Sequence, residues 1–382
     1  MPEKTLHINM TPRDLLFCRD ARPMEGTWNG IGGFLPTPST LFGAVMAEYC
    51  RRYPEKLTAK KSEKDSLRTT GPFLKKDGTV YFTTPLDVAP DNTLFTLEKL
   101  VGNSDLPNIL EYAVFAKKAD KKTASPYISC DDFKKYLSGE NFGTTAEGDF
   151  FDRESRSGIT IDPRTRIAKD SQFYNAQYLR LKNGVSLAGD ATMDCDNQLK
   201  DLFTEKQRTM QLGGQQSLVY VDPAMNKKIQ LPQVKIAGDL VKYVLLTPAA
   251  YLNGWYPDFV NTEGKIVLRA EKGPRPERRP GESRAEYRKR IFESSIQISA
   301  KLIAARIGKP LAISGWKMKN EGGGSPRATH LYVPAGSVYY FKAENVEHAR
   351  LLAETLQGKS YSAYGACAGH GIGVCGNFTI NQ

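Results

Sequence analysis

The chain has 382 residues, with 53 lysines and arginines against 42 aspartates and glutamates, a formal net charge of +11. Hydrophobic residues make up 40% of it, which excludes a disordered chain, and the length exceeds what one core usually serves. No run approaches the ~20 apolar residues of a membrane span, and the N-terminal MPEKTLHINM lacks the apolar stretch of a secretory signal, so a cytoplasmic protein with its six cysteines reduced is expected.

In chain order, a strand is predicted from near Ile8 through Phe17. A tight basic turn follows at Arg19-Asp20-Ala21-Arg22-Pro23, then a passage with Gly26, Gly30, Gly32 and Gly33. Pro36-Thr37-Pro38-Ser39-Thr40 opens a helix that runs to Tyr53, with Ser39 and Thr40 as its capping residues. Fixed arginines, backbone amides without bulky neighbours and a helix N-terminus all favour an anion. The large anion that suits a basic chain is nucleic acid, although the same charge excess can serve solubility alone.

Residues 54–68 read as a charged surface loop, and residues 88–148 mix proline, aspartate, lysine and short apolar runs without a clear period. The stretch 153–166, with Arg153, Arg156, Arg164 and Arg166, is a second basic, turn-rich segment. Arginine suits bidentate phosphate contact and stacking on bases. The segment fits equally a solvated loop whose charges pair with Glu154 and Asp162. Asn183-Gly184 between apolar runs signals a hairpin turn, so a long hairpin is expected to project over 171–189. A helix is predicted over 196–210 with Leu199, Leu202, Phe203 and Met210 inward, followed by Leu212-Gly213-Gly214 and a strand over 217–221.

The second half opens on a strand over 239–247. Residues 269–290 are crowded with arginine, glutamate, proline and glycine, and merge into a long helix over 283–307. Ser283 and Glu286 form its capping box, and Ile291, Ile298, Leu302, Ile303 and Ile307 form its apolar face. Strands follow over 310–319 and 331–341, then a helix over 345–357 with Asn345 as N-cap and Gly358 closing it, then a last strand over 373–380. The order is β-α-β-β-α-β, the split-βαβ pattern. The first half follows the same order, and Thr11-Pro12 corresponds to Thr247-Pro248, so an internal duplication is read.

Near the C-terminus, Gly371-x-Gly373-x-x-Gly376 matches a dinucleotide fingerprint in form only: no helix or acidic residue can follow it in the six residues that remain. The loop either lets backbone N–H groups approach a phosphate or simply needs positive φ angles. Cys367, His370 and Cys375 resemble part of a zinc knuckle, but no fourth ligand lies near. The four histidines, His7, His330, His348 and His370, form no recognisable constellation, although His7 with His370 could serve as an acid–base pair.

Together the blocks PRDLLFCRDARP, PTPSTLFGA, RSGITIDPRTR, LGG, LTPAAYLNGWYP, ISGWKMK and VPAGSVYYF, closed by the glycine loop, resemble one family. It is the RAMP-superfamily subunit that stands third in the Cmr module of type III-B CRISPR effectors. The resemblance spans residues 12–376 and rests most on ISGW at 313–316 and VPAGSVYYF at 333–341. It implies an α+β fold of two tandem ferredoxin-like (split βαβ, RRM-related) domains with large insertions and a C-terminal glycine-rich loop. The first domain is residues 1–235, with insertions over about 54–195, and the second is residues 236–382.

The resemblance also implies a non-catalytic role without metal or cofactor. Such a subunit holds the 5′ repeat-derived tag of CRISPR RNA and docks on the large polymerase-like Cas subunit beside RAMP backbone subunits. Carried onto this chain, the RNA contacts are Arg19, Arg22, Ser39 and Thr40, then Arg156, Arg164 and Arg166 in the family's basic segment, then Gly369, His370, Gly371 and Gly373 in the loop. The loop departs from the family's aromatic GFG-like core in carrying Cys367, His370 and Cys375. The alternative is a metal-independent endoribonuclease of the same superfamily that trims precursor CRISPR RNA with His370 or His7.

Overall fold

Leu6, Ile8 and Met10 alternate along the first strand, β1 (Thr5–Pro12), and bury one of its faces. The computed structural model describes residues 5–19, 21, 32–54, 67–101, 110–115, 123–193, 198–204, 208–222, 227–271, 277–318 and 324–380. The predicted strand to Phe17 is corrected: it stops at Pro12, which has no N–H to continue the ladder, and beyond it only Leu16 bridges to Leu179.

The first half continues with helix α1 (Pro38–Arg52), β2 (Leu67–Lys76), β3 (Thr79–Thr83), the small pair β4 (Thr96–Lys99) and β5 (Tyr112–Phe115), β6 (Tyr127–Ser129) and helix α2 (Cys130–Ser138). Then come β7 (Phe151–Ile161), β8 (Ala168–Leu181), β9 (Val185–Met193), β10 (Thr209–Gln211) and β11 (Leu218–Val221). Seven of these strands form one sheet in the order β10-β11-β1-β9-β2-β3-β6. Leu41, Val45 and Tyr49, spaced for one helical face, lay α1 on that sheet and build the first core.

The second half holds β12 (Leu240–Leu245), β13 (Arg269–Glu271), α3 (Arg284–Ser294), β14 (Ser295–Gln297), β15 (Ala300–Arg306) and β16 (Leu311–Ile313). It ends with β17 (Trp316–Met318), β18 (Gly324–Pro326), β19 (His330–Tyr332), β20 (Val338–Ala343), α4 (Val346–Leu356) and β21 (Gly373–Asn377). Its main sheet runs β15-β20-β12-β21, and α4 covers one face with Ala349, Leu352 and Leu356 against Val241, Tyr243 and Leu245. Asn345 caps α4 by accepting the His348 N–H at 3.0 Å, as predicted. The fold is α+β. Ranked along the chain, β11-β1-β9-β2 in the first sheet and β21-β12-β20-β15 in the second have the same order: fourth, first, third, second.

Three further expectations are corrected. The capping box at Ser283 and Glu286 forms, but its helix ends at Ser294. Ile296, Ile298, Ala300 and Leu302 alternate with period two, and this run enters strands, with a bulge between Leu302 and Ala304. The helix over 196–210 is replaced, among the described residues, by a 3-10 turn at Gln198–Asp201 and by β10, yet Leu199, Leu202, Phe203 and Met210 are buried as expected. The turn at Asn183-Gly184 exists, with Gly184 at φ +77°, but β8 and β9 on either side of it pair with different partners. The projecting hairpin is instead β7–β8, and its tip is 162–167. The charged loop predicted over 54–68 falls largely outside the described residues; Leu67 and Arg68 already belong to β2.

A third core joins the two sheets. Phe73, Phe82 and Ile128 meet Val244, Val338 and Val374 there, with Phe133, Tyr136 and Leu137 of α2 wedged between. Inside it Asp87, 2% exposed, accepts hydrogen bonds from Tyr136 Oη (2.8 Å) and Tyr340 Oη (2.7 Å). Lys242, also buried, donates to the Tyr136 carbonyl at 2.9 Å and sits 3.4 Å from the centre of its ring. Burial lowers the Lys242 pKa to about 8, against the opposing pull of Asp87.

Candidate nucleic-acid interface

The β7–β8 ribbon is built from a long register that runs from Phe151 opposite Leu181 to Ile161 opposite Ala168. At its base Arg153 is fully engaged: it holds Glu147 at 2.9 Å and donates to the Gly33 carbonyl at 2.5 Å. Farther out, Arg156 pairs with Glu154 at 2.9 Å and lies over the Tyr178 ring. Hydrogen bonds from Arg180 and then Arg156 hold the Glu154 carboxyl below its usual range.

The tip is different. Asp162 spends its carboxylate on the backbone, accepting N–H groups from Arg164 (2.8 Å) and Thr165 (3.2 Å), a local turn motif. Arg166 adopts φ +57°. Arg164 and Arg166 are exposed, and neither has an ion-pair partner among the described residues. Ile159, Ile161 and Ile167 are exposed beside them. Of the local ion pairs in the alternative reading of this segment, the one to Glu154 is present and, among the described residues, the one to Asp162 is not, so the tip presents cations with apolar flanks.

Arg19 is exposed and bridges to Gly32, and Gly32 lies against Gln177 of β8: a Cβ on Gly32 would sit 2.4 Å from the Gln177 carbonyl oxygen. This close approach places the Arg19 turn against the flank of the ribbon. Arg22 and the passage with Gly26 and Gly30 lie outside the described residues.

The start of α1 corrects the capping assignment. Pro38 occupies the first helical turn, so Thr37 is the N-cap, without a side-chain cap bond. The Thr37 and Thr40 hydroxyls lie 3.0 Å apart. Ser39 Oγ lies 2.8 Å from His370 Nε2, and His370 Nδ1 lies 3.2 Å from the Pro248 carbonyl. A carbonyl can only accept, so Nδ1 carries the proton and Nε2 accepts from the Ser39 hydroxyl. The ring is 0% exposed and packs on Tyr332 at 4.7 Å, and burial lowers its pKa to about 4.

The glycine loop is also turned inward. Gly369, His370, Gly371 and Gly373 are all buried. A Cβ on Gly369 would lie 2.4 Å from the Thr69 carbonyl oxygen of β2, and Thr69 and Thr247 hydroxyls donate to the Ala368 and Gly369 carbonyls. Gly373 faces the Tyr243 ring. The expected close backbone approach is present, but the groups approached belong to the protein. The structure thus unites the loop with the N-terminus of α1 and sets the ribbon arginines elsewhere, on an exposed arm.

Of the remaining histidines, His7 Nδ1 is 2.7 Å from Asp190 on β9, and Asp190 also accepts the Ile229 N–H at 3.2 Å. Burial raises the Asp190 pKa despite His7. His348 accepts the Ser299 N–H at 3.1 Å. His330 stacks on Tyr364, a pair that no sequence pattern marked. Among the described residues no group of three or more His, Cys, Asp or Glu side chains is placed to hold a metal ion, and no helix is long and apolar enough to cross a membrane.

The family model described as CRISPR-associated protein (Cas_Cmr3) matches residues 8–369. No curated protein matches. The chain is similar to a chain of the Type III-B Cmr-beta complex bound to cognate target RNA and AMPPnP, with 13% identity and a TM-score of 0.46 over 87% of this chain and 86% of that one. The same complex bound to cognate target RNA gives 14% identity and a TM-score of 0.43, over 87% and 86%. A chain of the Csm1-Csm4 cassette in complex with pppApA gives 11% and 0.37, over 89% and 87%.

Proposed function

The chain belongs to the Cas_Cmr3 family and is a type III CRISPR effector subunit; we propose that within the effector it grips the 5′ repeat-derived tag of the CRISPR RNA. On this reading it is a cytoplasmic, non-catalytic structural subunit that docks on the large polymerase-like Cas subunit beside the RAMP backbone subunits. The observation that carries the RNA contact is the β7–β8 arm, whose tip exposes Arg164 and Arg166 while Asp162 is tied to the backbone. Unpaired guanidinium groups on a projecting arm suit phosphates, and Arg156 and Arg19 extend the same basic track toward the body. Arg22 belongs to the proposed track by sequence. Ser39 and Thr40, apart from that track at the start of α1, belong to the reading as a second contact, where the helix dipole favours a phosphate.

Gly369, His370, Gly371 and Gly373 act in this reading as the brace that fixes the α1 start. The non-catalytic assignment is supported by His370, whose two ring nitrogens are both occupied in a sealed site. The endoribonuclease alternative needs a histidine that reaches RNA. We also infer two tandem ferredoxin-like domains, residues 1–235 and 236–382, because the two sheets share one strand order. The helix α3, with no buried residue, departs from that pattern.

The test is the salt dependence of binding between the full chain and its own 5′-tag RNA. Replacing Arg156, Arg164 and Arg166 together by alanine is expected to weaken binding and to make the log–log salt slope shallower by about 2, at ~0.7 per phosphate contact on a single strand. An unchanged slope removes the arm from the interface.

A further inference from the structure

We propose that the stacked pair of His330 and Tyr364 is a platform for one unpaired base of the same RNA. The proposal rests on the reading above and names a second contact within it. The two rings are 3.7 Å apart between centroids and inclined by only 18°. Every other aromatic pair among the described residues is tilted or edge-on. A parallel pair covers one face of each ring and leaves the other uncovered by its partner, and Tyr364 is 42% exposed.

The platform is fixed rather than a loose surface residue. The Ser362 hydroxyl donates to the Tyr364 carbonyl at 2.7 Å, and the Ala363 N–H donates to the Ala250 carbonyl at 2.8 Å. His330 is held in β19 opposite Ile313. Strand alternation puts His330 and Tyr332 on one side of β19, and Tyr332 packs on His370. Gly365, next after Tyr364, also lies against the His370 ring, where a Cβ would sit 2.6 Å from Cδ2. His370 in turn holds Ser39. A continuous set of contacts therefore joins the platform to the start of α1, where a phosphate is expected. A base stacked on Tyr364 and a phosphate at the helix start are the two halves of single-stranded RNA recognition.

The experiment uses the full chain with its own 5′-tag RNA, both fully based and with a single abasic site at each position in turn. Tyr364→Ala and His330→Ala are each expected to weaken binding about tenfold, within the range of one base stacked on an aromatic ring. Tyr364→Phe keeps the ring and is expected to bind as the parent does. One abasic position is expected to cost the parent a similar factor and to cost Tyr364→Ala nothing more, the mark of a direct pair. If Tyr364→Ala binds normally while the arm variants lose affinity, the platform is wrong and the RNA reading stands. If Tyr364→Ala weakens binding but every abasic site still exacts its full loss, no base sits on Tyr364. If Tyr364→Ala binds RNA normally and instead loosens a neighbouring subunit in the purified effector, the pair is a protein contact. If the parent chain does not bind the RNA, both readings fall.

Discussion

Replacing Asp87 by alanine is expected to lower the unfolding free energy by about 3 kcal/mol or more. The carboxylate is 2% exposed and accepts from the hydroxyls of Tyr136 and Tyr340, at 2.7 to 2.9 Å. Each buried hydroxyl stripped of its acceptor costs about 1–3 kcal/mol. Lys242, equally buried, also loses the negative charge that offsets its desolvation. Asp87→Asn keeps an acceptor for the hydroxyls and should cost less. The double variant Asp87→Ala with Lys242→Met should recover part of the loss, because the stranded cation is gone. Urea unfolding read by two probes checks this, and a loss within about 0.5 kcal/mol of a surface substitution contradicts it. These groups come from α2 and from the second sheet, so the variant reports on the seam between the two sheets.

Acidification is expected to destabilise the protein through His370. Burial lowers its pKa in the folded state to about 4, from an ordinary value of 6.5. Below 6.5 the unfolded chain takes up the proton that the folded one refuses, so stability present above 6.5 falls as pH drops toward about 4. Ser39, Pro248, Gly365 and Tyr332 surround the ring and bring no carboxylate to compensate a charge. The loss attributable to this group is about 3 kcal/mol across that window. His370→Asn keeps a donor for the Pro248 carbonyl and cannot take a proton. It should be less stable than the parent at neutral pH, and the two should converge as pH approaches 4. Parallel stability curves contradict the assignment.

The elements with a local physical signature were legible in the sequence. Helices α1 and α4 announced themselves by Pro38, by Asn345 and by apolar residues three and four apart. Burial was legible even where the element was misjudged: Leu199, in a 3-10 turn, and Leu202, just after it, are buried although no helix forms around them. The long helix over 283–307 failed because its capping box was real but its second half alternates with period two. The arm was misplaced because Asn183-Gly184 is the stronger turn signal, while the turn that makes the ribbon is Asp162-Pro163. Strand order could not be read, since ladder partners such as His7 and Asp190 are far apart along the chain. The glycine loop revealed its need for bare backbone but not whose atoms approach it, because Thr247 becomes its neighbour through the pairing of β12 with β21 and Thr69 through the packing of the two sheets.

The most direct test of the central claim is a photo-crosslinking map of the RNA-loaded effector, with a crosslinking base placed at each nucleotide of the 5′ tag. Attachment within residues 153–167 of the arm, at Arg19 or around the start of α1 is the predicted result. Crosslinks confined to other subunits, or falling in this chain only on the outer face of α4, would contradict it.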